Sequence, residues 1–443
     1  MKIVKNTFLL YSTRIVDVLA TFIQIKLLAL YLPKVVVGEI FFTIGVSSFV
    51  STLFFAGFPF VFVRYVPKME KDESALLLNF SVVLYFMGLL ISVIVGGLFY
   101  KNLPFWILFT GVYLSGILTL IGSYLIGKRE VKFYFGLTLL KSLVLILLLY
   151  FLRHLLSFLT LGYVLGLAGL AILISFYSIE GIFHFNLREA KFLLKKIGNF
   201  WRYSFLDQLF QPVFMYLYRI ITPYVVGFDA LASFTVSRRI DNFSRRIFQV
   251  PLDVISPEIS YRDEQKERII PALVELKKIY VTLSGIFFIL YVIAGRFVIK
   301  LIATGAYLDA FYPLLILALG LLISSTYSID ATYLRSIGRM RPYFIHNVVW
   351  MVTFIVSFVI LSKYYGLIGM AISYPVGHIL AGIYVKLKIE ERELLKPDLL
   401  FLPLVILVLL ALIFLNEVTV LVVGIYILIL SVSINFGKMR LQR

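Results

Sequence analysis

Apolar runs of about 20 residues, the length needed to cross roughly 30 Å of hydrocarbon, recur along almost the whole chain. They fall at 8–31, 36–62, 75–99, 104–126, 131–151, 155–177, 201–226, 230–256, 271–295, 308–328, 343–361, 366–385, 399–415 and 418–436. Lipid offers no hydrogen-bond partner to an open backbone, so each run must close its N–H and C=O groups within a helix. The expected fold is an all-α polytopic membrane protein with about 14 transmembrane helices. Composition agrees: 61% of the 443 residues are hydrophobic and 15% are charged, against about 45–50% and about 25% in soluble domains. No short apolar stretch ends in a small-residue cleavage site, so the first span is expected to stay in the membrane. The chain has no cysteine, which removes disulfides, thiol catalysis and cysteine metal sites. His154, His184, His346 and His378 are scattered without ligand-like spacing. They read as interfacial or satisfied bundle residues, and no metal site is expected.

One span breaks the pattern. Residues 230–256 carry Arg238, Arg239, Arg245 and Arg246. Each arginine near the bilayer centre costs about 2.5–3.5 kcal/mol, so four facing lipid would cost on the order of 10–14 kcal/mol. The segment must line a water-filled, anion-accepting cavity, be paired inside a bundle, or not cross at all. Charge parity decides the last point. If the N-terminus is cytoplasmic and the segment crosses, 28 of the 42 basic residues fall on the inner side, Lys277 and Lys278 among them, and 6 on the outer side. Without the crossing, every later basic cluster would lie outside, against the positive-inside rule. The segment therefore crosses, and both termini are expected on the cytoplasmic side of the cytoplasmic membrane. Arg14, Lys26, Lys141, Arg219 and the four arginines are left within the bilayer. The net charge of +18 then reflects topology and contact with anionic membrane lipids, and no nucleic-acid partner is needed to explain it.

A weak internal repeat supports a two-lobed plan. With an offset of 192 residues, Tyr11 and Ser12 fall on Tyr203 and Ser204, Phe42, Thr43 and Ile44 on Phe234, Thr235 and Val236, and Pro59 on Pro251. Ile126, Gly127 and Lys128 before the fifth span resemble Ile337, Gly338 and Arg339 before the eleventh. The expected organisation is a six-helix lobe over 1–177, an amphipathic cytoplasmic linker over 178–200, a second six-helix lobe over 201–390, and two extra helices with a cytoplasmic tail over 391–443. Parallel repeats imply a pseudo-twofold axis along the membrane normal, with a substrate path between the halves. A monomer is the default expectation.

Six plus six plus two helices, polar first and seventh spans, and a basic cluster after each second span resemble the polysaccharide-transporter branch of the multidrug/oligosaccharidyl-lipid/polysaccharide exporter superfamily. The stretch from Asn6 to Tyr31, followed by Val37, Gly38 and Glu39, is similar to the start of O-antigen (Wzx-type) flippases. The resemblance implies movement of a polyprenyl-diphosphate-linked oligosaccharide from the cytoplasmic to the outer leaflet. It also implies relatives that flip lipid II and relatives that export drugs against a cation gradient.

The polar residues fit such a cargo. Arg14, Asp17, Thr21 and Gln24 fall within an arc of about 80° on the first span, and Arg238, Asp241, Asn242, Arg245 and Gln249 share one face of the eighth. The seventh supplies Asp207, Gln208, Gln211 and Arg219. Cations at several depths suit a diphosphate, whose oxygens the planar arginine fork can hold bidentately. Arg14, Lys26, Arg219, Arg238, Arg239, Arg245 and Arg246 are thus the expected diphosphate ligands. The competing reading pairs Arg14 with Asp17, and Arg238 or Arg245 with Asp241, as structural ion pairs. One carboxylate cannot neutralise four arginines, and a net-positive cavity is expected.

Asp17, Asp207 and Asp241 are the residues available for ion coupling or pairing, and coupling to H+ or Na+ is the one cofactor-like requirement. An acid held by an arginine makes a poor proton carrier near neutral pH, which weighs for an anion-handling flippase over a cation-coupled multidrug antiporter. An enzyme acting on such lipids is not expected, because the external connections are short and carry no paired carboxylates or histidine cluster.

Overall fold

In the computed structural model the chain is described over residues 2–180, 216–264 and 269–390, apart from residues 56, 100, 101, 129 and 338, and at positions 186, 189, 195, 205 and 394. Most of the expected linker, Asp207 and the two final spans lie outside the described residues. All α-helices and short 3-10 turns, the described elements include no strand. The first eight helices are α1 (Lys2–Tyr31), α2 (Lys34–Phe55), α3 (Phe58–Tyr65), α4 (Lys71–Phe99), α5 (Leu103–Ser115), α6 (Ile117–Gly127), α7 (Val131–Phe151) and α8 (Phe158–Glu180). A helical stretch over 216–225, α9, follows. The last five are α10 (Phe228–Glu264), α11 (Ile270–Ile302), α12 (Phe311–Ser325), α13 (Ser328–Ser336) and α14 (Met340–Lys388). Eight described stretches are long and apolar enough to cross a membrane. Neither α1 nor α10 is among them, because charged and polar residues interrupt their apolar runs.

The 49 residues of α14 would measure about 73 Å if straight, more than twice the hydrocarbon thickness. Gly366, at φ 55° and ψ −131°, turns the chain back in a conformation that L side chains rarely adopt. A Cβ at Gly369 would strike the Leu361 carbonyl, and Gly377 lies against Trp350. The expected spans 343–361 and 366–385 are the two limbs of this hairpin.

Two other runs are less simple than their hydropathy. The expected span 36–62 is split into α2 and α3 at Gly57, φ 87°, with Pro59 at the start of α3, where its missing N–H costs nothing. The run 104–126 divides into α5 and α6 at Gly116, where a Cβ would meet the Tyr85 hydroxyl. Both breaks lie in sequence as apolar as their flanks, so hydropathy cannot see them.

The chain forms two compact units, Met1–Ala232 and Ser233–Arg443. In the first, α5 and α8 touch backbone to backbone: a Cβ at Gly111 would strike the Gly162 carbonyl, and one at Gly169 would meet Leu114. Small residues replace the hydrophobic effect as the cause of such packing, since lipid is as apolar as leucine. Phe58, Phe62, Tyr85, Tyr113, Tyr124 and Phe176 fill the core around α3, α4 and α6. In the second unit α12 is buried on nearly all sides, as an all-round apolar helix requires, between α11 and α14. A hydroxyl ties α2 to α5 and α10 to the 3-10 turn before α12: Ser47 Oγ donates to the Phe109 carbonyl at 2.7 Å, and Ser237 Oγ to the Ala310 carbonyl at 2.8 Å.

Candidate functional site

Helix α10 carries the site. Arg245 Nε donates to Asp241 Oδ2 at 2.6 Å one turn away. Its terminal nitrogens reach α12, at Ser324 Oγ (3.4 Å) and the Leu317 carbonyl (3.2 Å). Asp241 is wholly buried, and its Oδ1 has no hydrogen-bond partner among the described residues. Two turns back along the same face, Arg238 is also buried. The guanidinium carbons of Arg238 and Arg245 lie 4.5 and 4.6 Å from the centre of one ring, that of Tyr374 on the second limb of α14. Shared cation–π contact of this kind holds two like charges close while leaving their N–H edges oriented, and is worth about 2 kcal/mol per desolvated pair. Gly320 on α12 makes the room: a Cβ there would stand 2.8 Å from the Tyr374 ring.

Beside Arg245 opens a cavity of about 270 Å³, lined among others by Ser324, Tyr327, Arg335, His346 and His378. The Tyr327 hydroxyl and His378 Nδ1 are 2.6 Å apart. Tyr374 meets His378 edge to face at 4.7 Å, so the ring that holds the arginine pair backs onto one residue of the cavity lining.

The second unit thus brings Arg238, Asp241 and Arg245 together, and the Asp241–Arg245 ion pair is the one that the competing, structural reading describes. Arg239 and Arg246 flank them, half-buried. On α1, in the first unit, Arg14 is exposed while Asp17 and Lys26 are half-buried. Arg219 on α9, also in the first unit, is buried. Its Nε donates to the Tyr218 hydroxyl at 3.0 Å, and its guanidinium lies 5.6 Å from the rings of both Tyr216 and Tyr218. A Cβ at Gly45 of α2 would collide with the Arg219 side chain.

Two sequence expectations need correction. Lys277, assigned to the inner surface, is fully buried; its Nζ donates to Asp330 Oδ2 and to the Leu394 carbonyl, each at 2.7 Å. It looked like part of a surface cluster because Lys278 beside it pairs with Glu275 at the protein surface. His346 and His378 are not satisfied bundle residues. They converge on one cavity, and neither nitrogen of His346 nor Nε2 of His378 has a hydrogen-bond partner among the described residues. Arg335, Asp330 and Tyr374 were likewise missed. The one sequence signal was polar side chains in otherwise apolar spans. Among the described residues no three His, Asp or Glu side chains converge as a metal ion would need.

No protein-family model matches the sequence, and no curated protein matches it significantly. Solved structures do. The chain is similar to the lipid II flippase MurJ in its inward closed conformation, with a TM-score of 0.67 and 14% identity over 98% of this chain and 99% of that one. It is similar to an inward-facing multidrug resistance MATE family transporter of the MOP superfamily, at TM-score 0.67 and 17% identity over 86% and 96% of the two chains. A MATE in complex with MaL6 gives 0.60 and 16% over 89% and 97%. Over nearly its whole length, then, this chain has the fold on which the lipid II flippase and the MATE transporters are built.

Proposed function

We propose that the protein is a flippase that carries a polyprenyl-diphosphate-linked oligosaccharide across the cytoplasmic membrane by alternating access, for polysaccharide or O-antigen biosynthesis. The observation that carries this reading is the charge of α10: between Ala230 and Val250 it holds four arginines against one carboxylate, Asp241, which Arg245 engages. A net-positive, largely buried helix face favours a multiply charged anion and disfavours an organic cation. Arg238 and Arg239 are the foremost diphosphate ligands, with Arg245 and Arg246 beside them and Arg14, Lys26 and Arg219 as the further cations of the set. The isoprenoid tail stays in the bilayer while the headgroup passes. The lipid-linked glycan and anionic membrane lipids are the partners, and a monomer suffices.

A cation-coupled multidrug antiporter is the second reading, favoured by the unpartnered Oδ1 of buried Asp241. A leaflet-accessibility assay in proteoliposomes separates the two. A polyprenyl-diphosphate oligosaccharide should be translocated by the native protein and not by Arg238→Ala or Arg239→Ala protein that inserts normally. If no such lipid moves, with or without a proton or sodium gradient, while an organic cation does, the antiporter reading replaces this one.

A further inference from the structure

The cavity beside Arg245 does something the diphosphate reading does not require. We propose that it is a binding site for a sugar-sized oxyanion, an acidic sugar unit carrying a carboxylate or phosphate group. The flippase reading enters only in naming the source, an acidic residue of the transported glycan; the site itself rests on its own geometry.

Two guanidinium groups, of Arg245 and Arg335, line the cavity, and no carboxylate does so among the described residues. Asp241 stands behind Arg245, bonded to its Nε, which leaves the far side of that guanidinium towards the cavity and Ser324. Two imidazoles face the same space. His346 is 8% exposed and His378 9%, both line the cavity, and between them three ring nitrogens have no hydrogen-bond partner among the described residues. A buried polar atom left so is costly unless a ligand completes it. Each imidazole carries at least one N–H, and Tyr327 fixes the His378 ring through its Nδ1. Donors from two arginines and two histidines converging on one space select an anion.

Hydroxyls complete the lining: Ser325, Ser328 and Thr332 join Ser324. A bare inorganic anion has no use for such a wall, whereas a sugar ring's hydroxyls do. At about 270 Å³ the cavity lies just below the range of about 300–1,000 Å³ usual for small-molecule sites, room for one ring and not for a chain. Tyr280 and Tyr343 supply apolar faces against which a ring can rest.

Titration calorimetry on the purified full-length chain tests this with three probes: D-glucuronate, inorganic phosphate and D-glucose. Glucuronate should bind and glucose should not at the same concentration. Arg335→Gln and His346→Phe should each weaken glucuronate by about tenfold or more, as expected for loss of a charge-assisted bond. Phosphate binding that depends on the same two residues would also support the oxyanion site and assign its anion to a phosphate group. Glucose binding as tightly as glucuronate, or anion binding indifferent to both substitutions, would overturn it. If either variant melts early, Arg335→Lys and His346→Gln take its place. Trp350, whose ring lies 5.4 Å from that of His378, gives a second readout by fluorescence quenching. Binding is measured without translocation. A chain that flips the diphosphate lipid yet binds neither anion sinks the cavity site and leaves the flippase reading untouched, while anion binding without flipping does the reverse.

Discussion

Helices α2 and α10 occupy matching places in the two halves of the 192-residue repeat, and their chemistry is opposite. Where α10 has Arg238, Arg239, Arg245 and Arg246, α2 has Val46, Ser47, Leu53 and Phe54. Each makes a serine bond to another element, Ser47 to Phe109 on α5 and Ser237 to Ala310 in the turn before α12. Their cavities differ accordingly. The one beside α2 is about 630 Å³, lined by Phe42, Val46, Val50, Phe105 and Phe109 among others, whereas the one beside α10 is smaller, cationic and rich in hydroxyls. Packing duties are met by small and hydroxylic residues at a few positions. The rest of the helix surface is then free to carry charge in α10 and apolar surface in α2.

Buried charge extends beyond α10 in the second unit, and breaking it should have the largest effect on stability. Removing one partner of a buried pair leaves the other uncompensated, at about 3–5 kcal/mol. Lys277→Met should therefore lower the melting temperature of the detergent-solubilised protein sharply, because Asp330 is fully buried and would lose its ammonium partner. The double change Lys277→Met with Asp330→Leu should recover most of the loss. A double variant as unstable as the single would mean that the Leu394 carbonyl, and not the ion pair, holds this place together.

Next in size is the functional contrast itself. Truncating a desolvated charge that meets a charged partner costs about 2–5 kcal/mol, so Arg238→Ala should slow translocation by about a hundredfold while Val46→Ala, its repeat mate, changes it by less than about threefold. Both are read in the same leaflet-accessibility assay. Equal losses would erase the distinction between the helices.

Much of this architecture was legible in the sequence because membrane spans are written in one dimension. Twenty apolar residues imply a helix whatever surrounds them, and the arginines of α10 announced themselves by their insertion cost. Breaks inside apolar runs were not legible, since the glycines at 57 and 116 interrupt helices without interrupting hydropathy. The cavity was not legible either. His346 and His378 lie about a hundred residues or more beyond Arg238 in the chain, and only the reversal at Gly366 sets the two limbs of α14 side by side. Lys277 and Asp330 are 53 residues apart, with nothing in either neighbourhood to suggest the other. A charge whose partner comes from another helix is indistinguishable in sequence from a charge at the membrane surface.

Glycines give a third comparison. At Gly111 a Cβ would meet the backbone of α8, which cannot yield; at Gly320 it would meet the ring of Tyr374, which can rotate. Overpacking costs about 1–3 kcal/mol. Gly111→Ala should fall at the upper end, seen as a lower melting temperature, with the second lobe's anion binding unchanged. Gly320→Ala should fall at the lower end but weaken anion binding, because Tyr374 positions Arg238 and Arg245. If Gly320→Ala leaves binding intact, the shared ring is packing and nothing more.

The smallest effect probes the likeness of the lobes. Ser47 and Ser237 are both fully buried, and each donates to a main-chain oxygen of another helix. The acceptors are in helical or cap positions, where carbonyls keep a second lone pair, so deleting the hydroxyl strands no donor and leaves only a lost bond. Interhelical bonds of this kind average about 0.6 kcal/mol in membrane proteins. Ser237 has a further acceptor within reach, the Ser233 carbonyl at 3.1 Å, so its bond to Ala310 is the more easily exchanged of the two. Ser47→Ala and Ser237→Ala should each destabilise the protein by about 0.5–1 kcal/mol, with Ser237 the lesser. Thermal melting of both variants decides it. A Ser237 effect several times larger would mean that this hydroxyl also sets the height of Arg238, the next residue along α10, and the packing contact would then belong to the site.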